Sequence, residues 1–75
     1  MSERLPNVNA RKLVRVLQRA GFEFQRQKGS HVTLRSAQSR RTVVIPMHSG
    51  DLKRPLLKAI LEQAGLDEDE FRAPL

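Results

Sequence analysis

The sequence predicts an α+β domain with the element order α-β-β-β-α, a three-stranded antiparallel sheet carrying two helices on one face. Three observations lead to it. Apolar residues recur at helical spacing over Leu13, Val16, Leu17 and Ala20, the period falls to two between Phe22 and Ile45, and a second helical stripe runs through Leu56, Leu57, Ile60, Leu61 and Ala64. A period of 3.6 residues marks an amphipathic helix and a period of two marks a half-buried strand.

Leu5-Pro6-Asn7-Val8 reads as an extended arm, and Asn9 is a helix N-cap whose side chain can accept a bond from an early orphan amide. Val8 and Leu13 stand at hydrophobic-staple spacing around it. The first helix carries Arg11, Lys12, Arg15 and Arg19 on its other faces and ends at Gly21, which can take a left-handed conformation and let Phe22 pack back on Leu17.

Three short strands follow. Phe22 and Phe24 alternate with Glu23 and Gln25, Val32 and Leu34 alternate with His31, Thr33 and Arg35, and Thr42 to Ile45 is β-branched throughout. The links Gln27-Lys28-Gly29-Ser30 and Ser36-Ala37-Gln38-Ser39-Arg40 are tight enough for an antiparallel meander. Pairing Val32 with Ile45 and Leu34 with Val43 on the core face brings His31 opposite Pro46. In the second helix Pro55 suits the first helical position and Gly65 closes the last turn. With one apolar stripe each, both helices are expected side by side on the sheet face that carries Phe22, Phe24, Val32, Leu34, Val43 and Ile45, leaving the other face wet. Asp67 to Phe71 reads as one more helical turn, capped by Asp67, at the head of an acidic tail.

Seventy-five residues support a single domain, with a folded body over about residues 9–66. A chain this short buries roughly 60% of its unfolded surface, so the core is modest. There is no cysteine, which excludes a disulfide scaffold, thiolate zinc ligation and thiol catalysis. No apolar run exceeds three residues, whereas a membrane-spanning helix needs about 20. The N-terminal Met1-Ser2-Glu3-Arg4-Leu5-Pro6 lacks the apolar stretch of a secretory signal, so the expected compartment is the cytoplasm.

Charge is distributed unevenly. Residues 1–61 hold 13 of the 14 Lys and Arg against only Glu3, Glu23 and Asp51, while the remainder is acidic apart from Arg72. A body this basic attracts polyanions, with nucleic acid the first candidate.

Chemistry is confined to a few residues. Tyrosine, tryptophan and cysteine are absent, and the histidines are His31 and His48. Because Val32 and Leu34 must face the core, His31, Thr33 and Arg35 point to solvent, so His31 is not a core histidine. It follows Lys28-Gly29-Ser30, a turn whose glycine lets a ligand approach the backbone and whose lysine favours a phosphate. His48 lies just past the third strand in Pro46-Met47-His48-Ser49-Gly50, at the same end of the sheet. Two imidazoles near a phosphodiester could share acid and base roles in attack by a ribose 2′-hydroxyl. Two histidines with Asp51 as the nearby acid do not make a convincing zinc site, and no phosphate loop or dinucleotide fingerprint is present.

Taken in order, Ala20-Gly21-Phe22, Gly29-Ser30-His31, Pro46-x-His48 and Leu57-x-x-Ile60-Leu61-x-x-Ala64-Gly65 resemble the HicA toxins of bacterial toxin-antitoxin pairs over about residues 9–66. The resemblance implies a small double-stranded-RNA-binding-like fold used as an mRNA interferase, with the family's catalytic histidine at His31 and a HicB-type antitoxin as protein partner. It implies no cofactor. Pro46 and His48 match the family's Pro-x-His segment. One departure is Pro55-Leu56, where family members often have Gly-Thr.

The residues expected to bind RNA around His31 are Arg26, Lys28, Gly29, Ser30, Arg35, Arg40, Arg41 and His48, with mRNA as substrate and no metal. Two other readings stay open at this point: a non-catalytic RNA-binding module of the same shape, and a basic face that exists to bind an acidic protein.

Overall fold

The computed structural model describes residues 8–47 and 51–67. Helix α1 spans Ala10–Arg19, and the Asn9 side chain accepts a hydrogen bond from the Lys12 N–H at 2.8 Å, satisfying one of the orphan amides of the first turn. Val8 and Leu13 are both buried, as the staple requires. Ala20 departs from the expected stripe. It is the exposed C-cap, and the buried face is instead Ala10, Leu13, Val16 and Leu17, one helical turn earlier. Gly21 follows with φ +102°, the conformation that turns the chain into the sheet.

Strands β1 (Phe22–Lys28), β2 (His31–Ser36) and β3 (Thr42–Pro46) form an antiparallel sheet in the order β1-β2-β3. The β2–β3 register pairs Val32 with Ile45, Leu34 with Val43 and His31 with Pro46, as alternation predicts. The first link is tighter than expected, since β1 runs through Lys28 and only Gly29 and Ser30 form the turn, with Gly29 at φ +58°. A positive φ at the first central position is what a two-residue type II′ hairpin asks of glycine.

Ser36, read from sequence as part of the second turn, is a buried end of β2. Its N–H donates to the Arg41 carbonyl at 2.9 Å, its carbonyl accepts from the Arg40 N–H at 2.7 Å, and its Oγ accepts from the Ser39 N–H at 3.1 Å. The two backbone bonds are those of a bulge of the glycine type, and Arg40 occupies the left-handed position at φ +61°.

Helix α2 spans Arg54–Ala64 and buries Leu57, Ile60, Leu61 and Ala64. It starts one residue before expectation, with Lys53 as N-cap, so Pro55 stands second in the helix. Its missing N–H is still one of the orphans. Leu56 is 39% exposed and does not belong to the stripe, because it lies one residue round the helix from Leu57. Gly65 takes φ +73°, and the bonds from the Gly65 N–H to the Glu62 carbonyl and from the Leu66 N–H to the Leu61 carbonyl complete a Schellman ending.

Both helices share one core with Phe22, Val32, Leu34, Val43 and Ile45. α1 lies nearest β1 and β3, and α2 lies nearest β3. Phe24 corrects the expected core list, being 53% exposed although its row partner Leu34 is fully buried. Of the β1 residues only Phe22 is buried, so the edge strand projects past the helices soon after it leaves α1.

The two helix starts are joined by backbone. The Leu52 N–H donates to the Val8 carbonyl at 2.8 Å and Asn9 bridges Asp51, which buries Leu52 beside Val8. The tail turn expected around Phe71 lies outside the described residues. Among the described residues no helix is long and apolar enough to cross a membrane.

Candidate active site

Directly paired residues of neighbouring strands share a face, so the register assigns the face opposite α1 and α2 row by row. One row is Lys28, His31 and Pro46, the next is Arg26, Thr33 and Val44, and the third is Glu23, Arg35 and Thr42. His31, Lys28, Arg26 and Arg35 are all exposed.

A bulge decides which β1 side chains join this face. The register shifts between Phe24 and Arg26, so that Gln25 and Arg26 together oppose Thr33. Strict alternation from Phe22 and Phe24 would carry Arg26 and Lys28 to the helix side, where a cation would lose its hydration. The extra residue resets the phase. Gln27 then pairs with Val32 on the inner face, and Arg26 and Lys28 stand with His31 on the outer one. The apolar alternation ends at Phe24, which is the trace of the bulge in the sequence.

The turn beside His31 is held from both sides. Gln27 Nε2 donates to the Gly29 carbonyl at 3.1 Å, and the Met47 N–H donates to the Ser30 carbonyl at 2.6 Å. A Cβ built on Gly29 meets nothing within 4 Å, so its positive φ and not crowding calls for glycine, and the turn is open to a ligand. Met47 is thereby anchored next to the residue that precedes His31. His48 lies outside the described residues.

Arg40 and Arg41 are not brought to this end. They follow the far end of β2, about 17 Å from His31 for a strand rising ~3.3 Å per residue. Arg41 has another task there. Its Nη1 donates to the Gln63 carbonyl at 3.4 Å, in the last turn of α2, where a cation also suits the helix dipole. Among the described residues, no group of three His, Asp or Glu side chains is placed to hold a metal ion.

A family model for the HicA toxin of bacterial toxin-antitoxin pairs matches residues 10–66. The chain belongs to the HicA toxin family. That membership makes it the toxin of a toxin-antitoxin pair, with an antitoxin as its partner. A comparison with curated proteins finds none that matches. The match runs from the first residue of α1 to the residue after Gly65, so all five elements belong to the HicA unit.

Proposed function

We propose that this HicA toxin is an endoribonuclease that cleaves mRNA, with His31 as its catalytic residue and no metal required. The observation that carries the reading is the row of Lys28 and His31 beside Arg26, two cations and an imidazole exposed on the sheet face opposite α1 and α2. Imidazole titrates near neutrality, which suits proton transfer at physiological pH. His31 takes the proton from a ribose 2′-hydroxyl, and O2′ forms a bond to the adjacent phosphorus. The bond from phosphorus to O5′ breaks, leaving a 2′,3′-cyclic phosphate on one fragment and a 5′-hydroxyl on the other. The departing O5′ takes its proton from water or from a protonated His48 imidazolium. Negative charge gathers on the phosphoryl oxygens in the transition state, where Lys28 and Arg26 offset it.

Arg35 sits two rows away from Lys28, opposite Glu23, and extends the same face for the flanking strand. The Gly29–Ser30 turn lets the RNA backbone pass close to His31. The partner is a HicB-type antitoxin that covers this face, and an mRNA substrate places the toxin in the cytoplasm. The test is incubation of purified toxin with mRNA, followed by end-group analysis of the fragments. Cyclic phosphate ends that disappear with His31→Ala support the assignment. Binding without any cleavage by the parental protein would leave an RNA-binding module.

A further inference from the structure

α1 carries a charge pattern that its own fold does not explain. Arg11, Lys12, Arg15 and Arg19 are exposed on a ten-residue helix that contains no acid. Arg11 and Arg15 stand at i,i+4, where like charges repel, and Arg11 and Lys12 occupy the first turn, where the helix dipole disfavours cations. Among the described residues the side chains of Arg11, Lys12 and Arg15 make no ion pair. Among the described residues, Asp51 is the acid held at this end, bridged through its backbone to Asn9 just before the helix. Local electrostatics that oppose the element in which they occur are expected where a function requires them.

The same surface lacks what a protein partner needs. Interface centres are depleted in charge and enriched in aromatic and other apolar anchors. Among the described residues the exposed large hydrophobics are Phe24, Val44 and Leu56, none of them on α1, whose one partly buried apolar residue is Val14. What binds here must be held by charge alone, and a phosphate backbone fits that description.

We propose that the outer face of α1 is a second RNA-backbone site, reading no sequence, on the layer opposite His31. It rests on the proposed nuclease reading for its biological sense, since it holds RNA flanking the cleavage point. The Met47 N–H bonds the Ser30 carbonyl, and four residues on Asp51 is bridged to Asn9, so Arg11 and Lys12 start from the end of the molecule that holds Lys28 and the Gly29–Ser30 turn, and the stripe runs along α1 for about 12 Å at ~1.5 Å per residue. Because α1 and the His31 face lie on opposite layers, an antitoxin on the sheet leaves this site open.

The experiment compares the parental sequence with Arg11→Gln, Lys12→Gln and Arg15→Gln combined, all in a His31→Ala background so that a 20-nucleotide RNA is not consumed. The plot of log affinity against log salt becomes shallower by about 2 in the triple variant, at ~0.7 per phosphate contact on a single strand. Between 50 and 200 mM salt the variant therefore loses about 20-fold less affinity than its parent. Arg15→Gln alone changes the slope by about 0.7 and keeps the test readable if the triple variant does not fold. With His31 restored, KM for the 20-mer rises, kcat holds, and cleavage of a ribodinucleotide is unchanged. An unchanged salt slope overturns the proposal, as does a loss confined to antitoxin binding. Failure of the parental protein to cut either substrate overturns the nuclease reading alone, since the slope still judges the α1 site.

Discussion

The Arg41 side chain lies across Gly65, so that a Cβ added to the glycine would stand 2.6 Å from Arg41 Nε and 2.9 Å from Cδ and Cζ. Two residues far apart in sequence thus share one requirement, that the last turn of α2 stay bare for the arginine that bonds Gln63. Gly65→Ala is expected to destabilise the fold by about 1–2 kcal/mol from the left-handed φ, with Arg41 displaced. Arg41→Ala alone costs about 0.5–1.5 kcal/mol, and less in the Gly65→Ala background. Strict additivity in a denaturant double-mutant cycle would mean that the two do not interact.

His31→Ala should abolish RNA cleavage and growth arrest while unfolding within about 0.5 kcal/mol of the parent, because an exposed residue at the start of a strand buries little. RNA binding should persist. Cleavage at the parental rate would remove His31 from the mechanism.

The bulge yields a less obvious expectation. Deleting Gln25 leaves Phe24 facing the helices and Arg26 and Lys28 facing outward, since the deletion removes the residue that the bulge absorbs. Fold and cleavage should both survive a change that would ruin a regular strand. A folded but inactive deletion would show that the local twist of the bulge, and not the facing of Arg26 and Lys28 alone, positions His31.

Arg40 holds φ +61°, where an L-residue pays roughly 1–2 kcal/mol. Glycine relieves this but adds entropy to the unfolded chain worth about 0.5–1 kcal/mol. Arg40→Gly is therefore expected to raise stability by up to about 1 kcal/mol, or ~4–8 °C in Tm for a domain of this size. Calorimetry measures it. A lower Tm would mean that the arginine side chain contributes more than its backbone strain.

If the antitoxin covers the His31 face, its binding should slow hydrogen exchange at Lys28 to Val32, and salt should slow association more than it speeds dissociation. Protection confined to α1 and α2, with RNA still cut, would place the antitoxin elsewhere.

Local features of this chain are legible because neighbours in sequence carry them. The Asn9 cap, the staple of Val8 with Leu13, the left-handed Gly65 and the pairing of Val32 with Ile45 follow from spacing and parity alone, and that parity also turns His31 to solvent. The basic excess of the folded body is likewise a property of composition.

What tertiary structure decided is which of those faces are covered. Phe24 alternates correctly and is still exposed, because coverage depends on where α1 and α2 end over the sheet. Ser36 and Leu52 are buried by backbone bonds to residues that periodicity does not relate to them. The bulge at Gln25 and Arg26 belongs to a strand pair rather than to a strand, and so does the phase that sets Arg26 and Lys28 beside His31. Arg41 faces Gly65 across 24 residues of chain. Alternation states which side chains can share a face, and only the packing of one element on another states what that face meets.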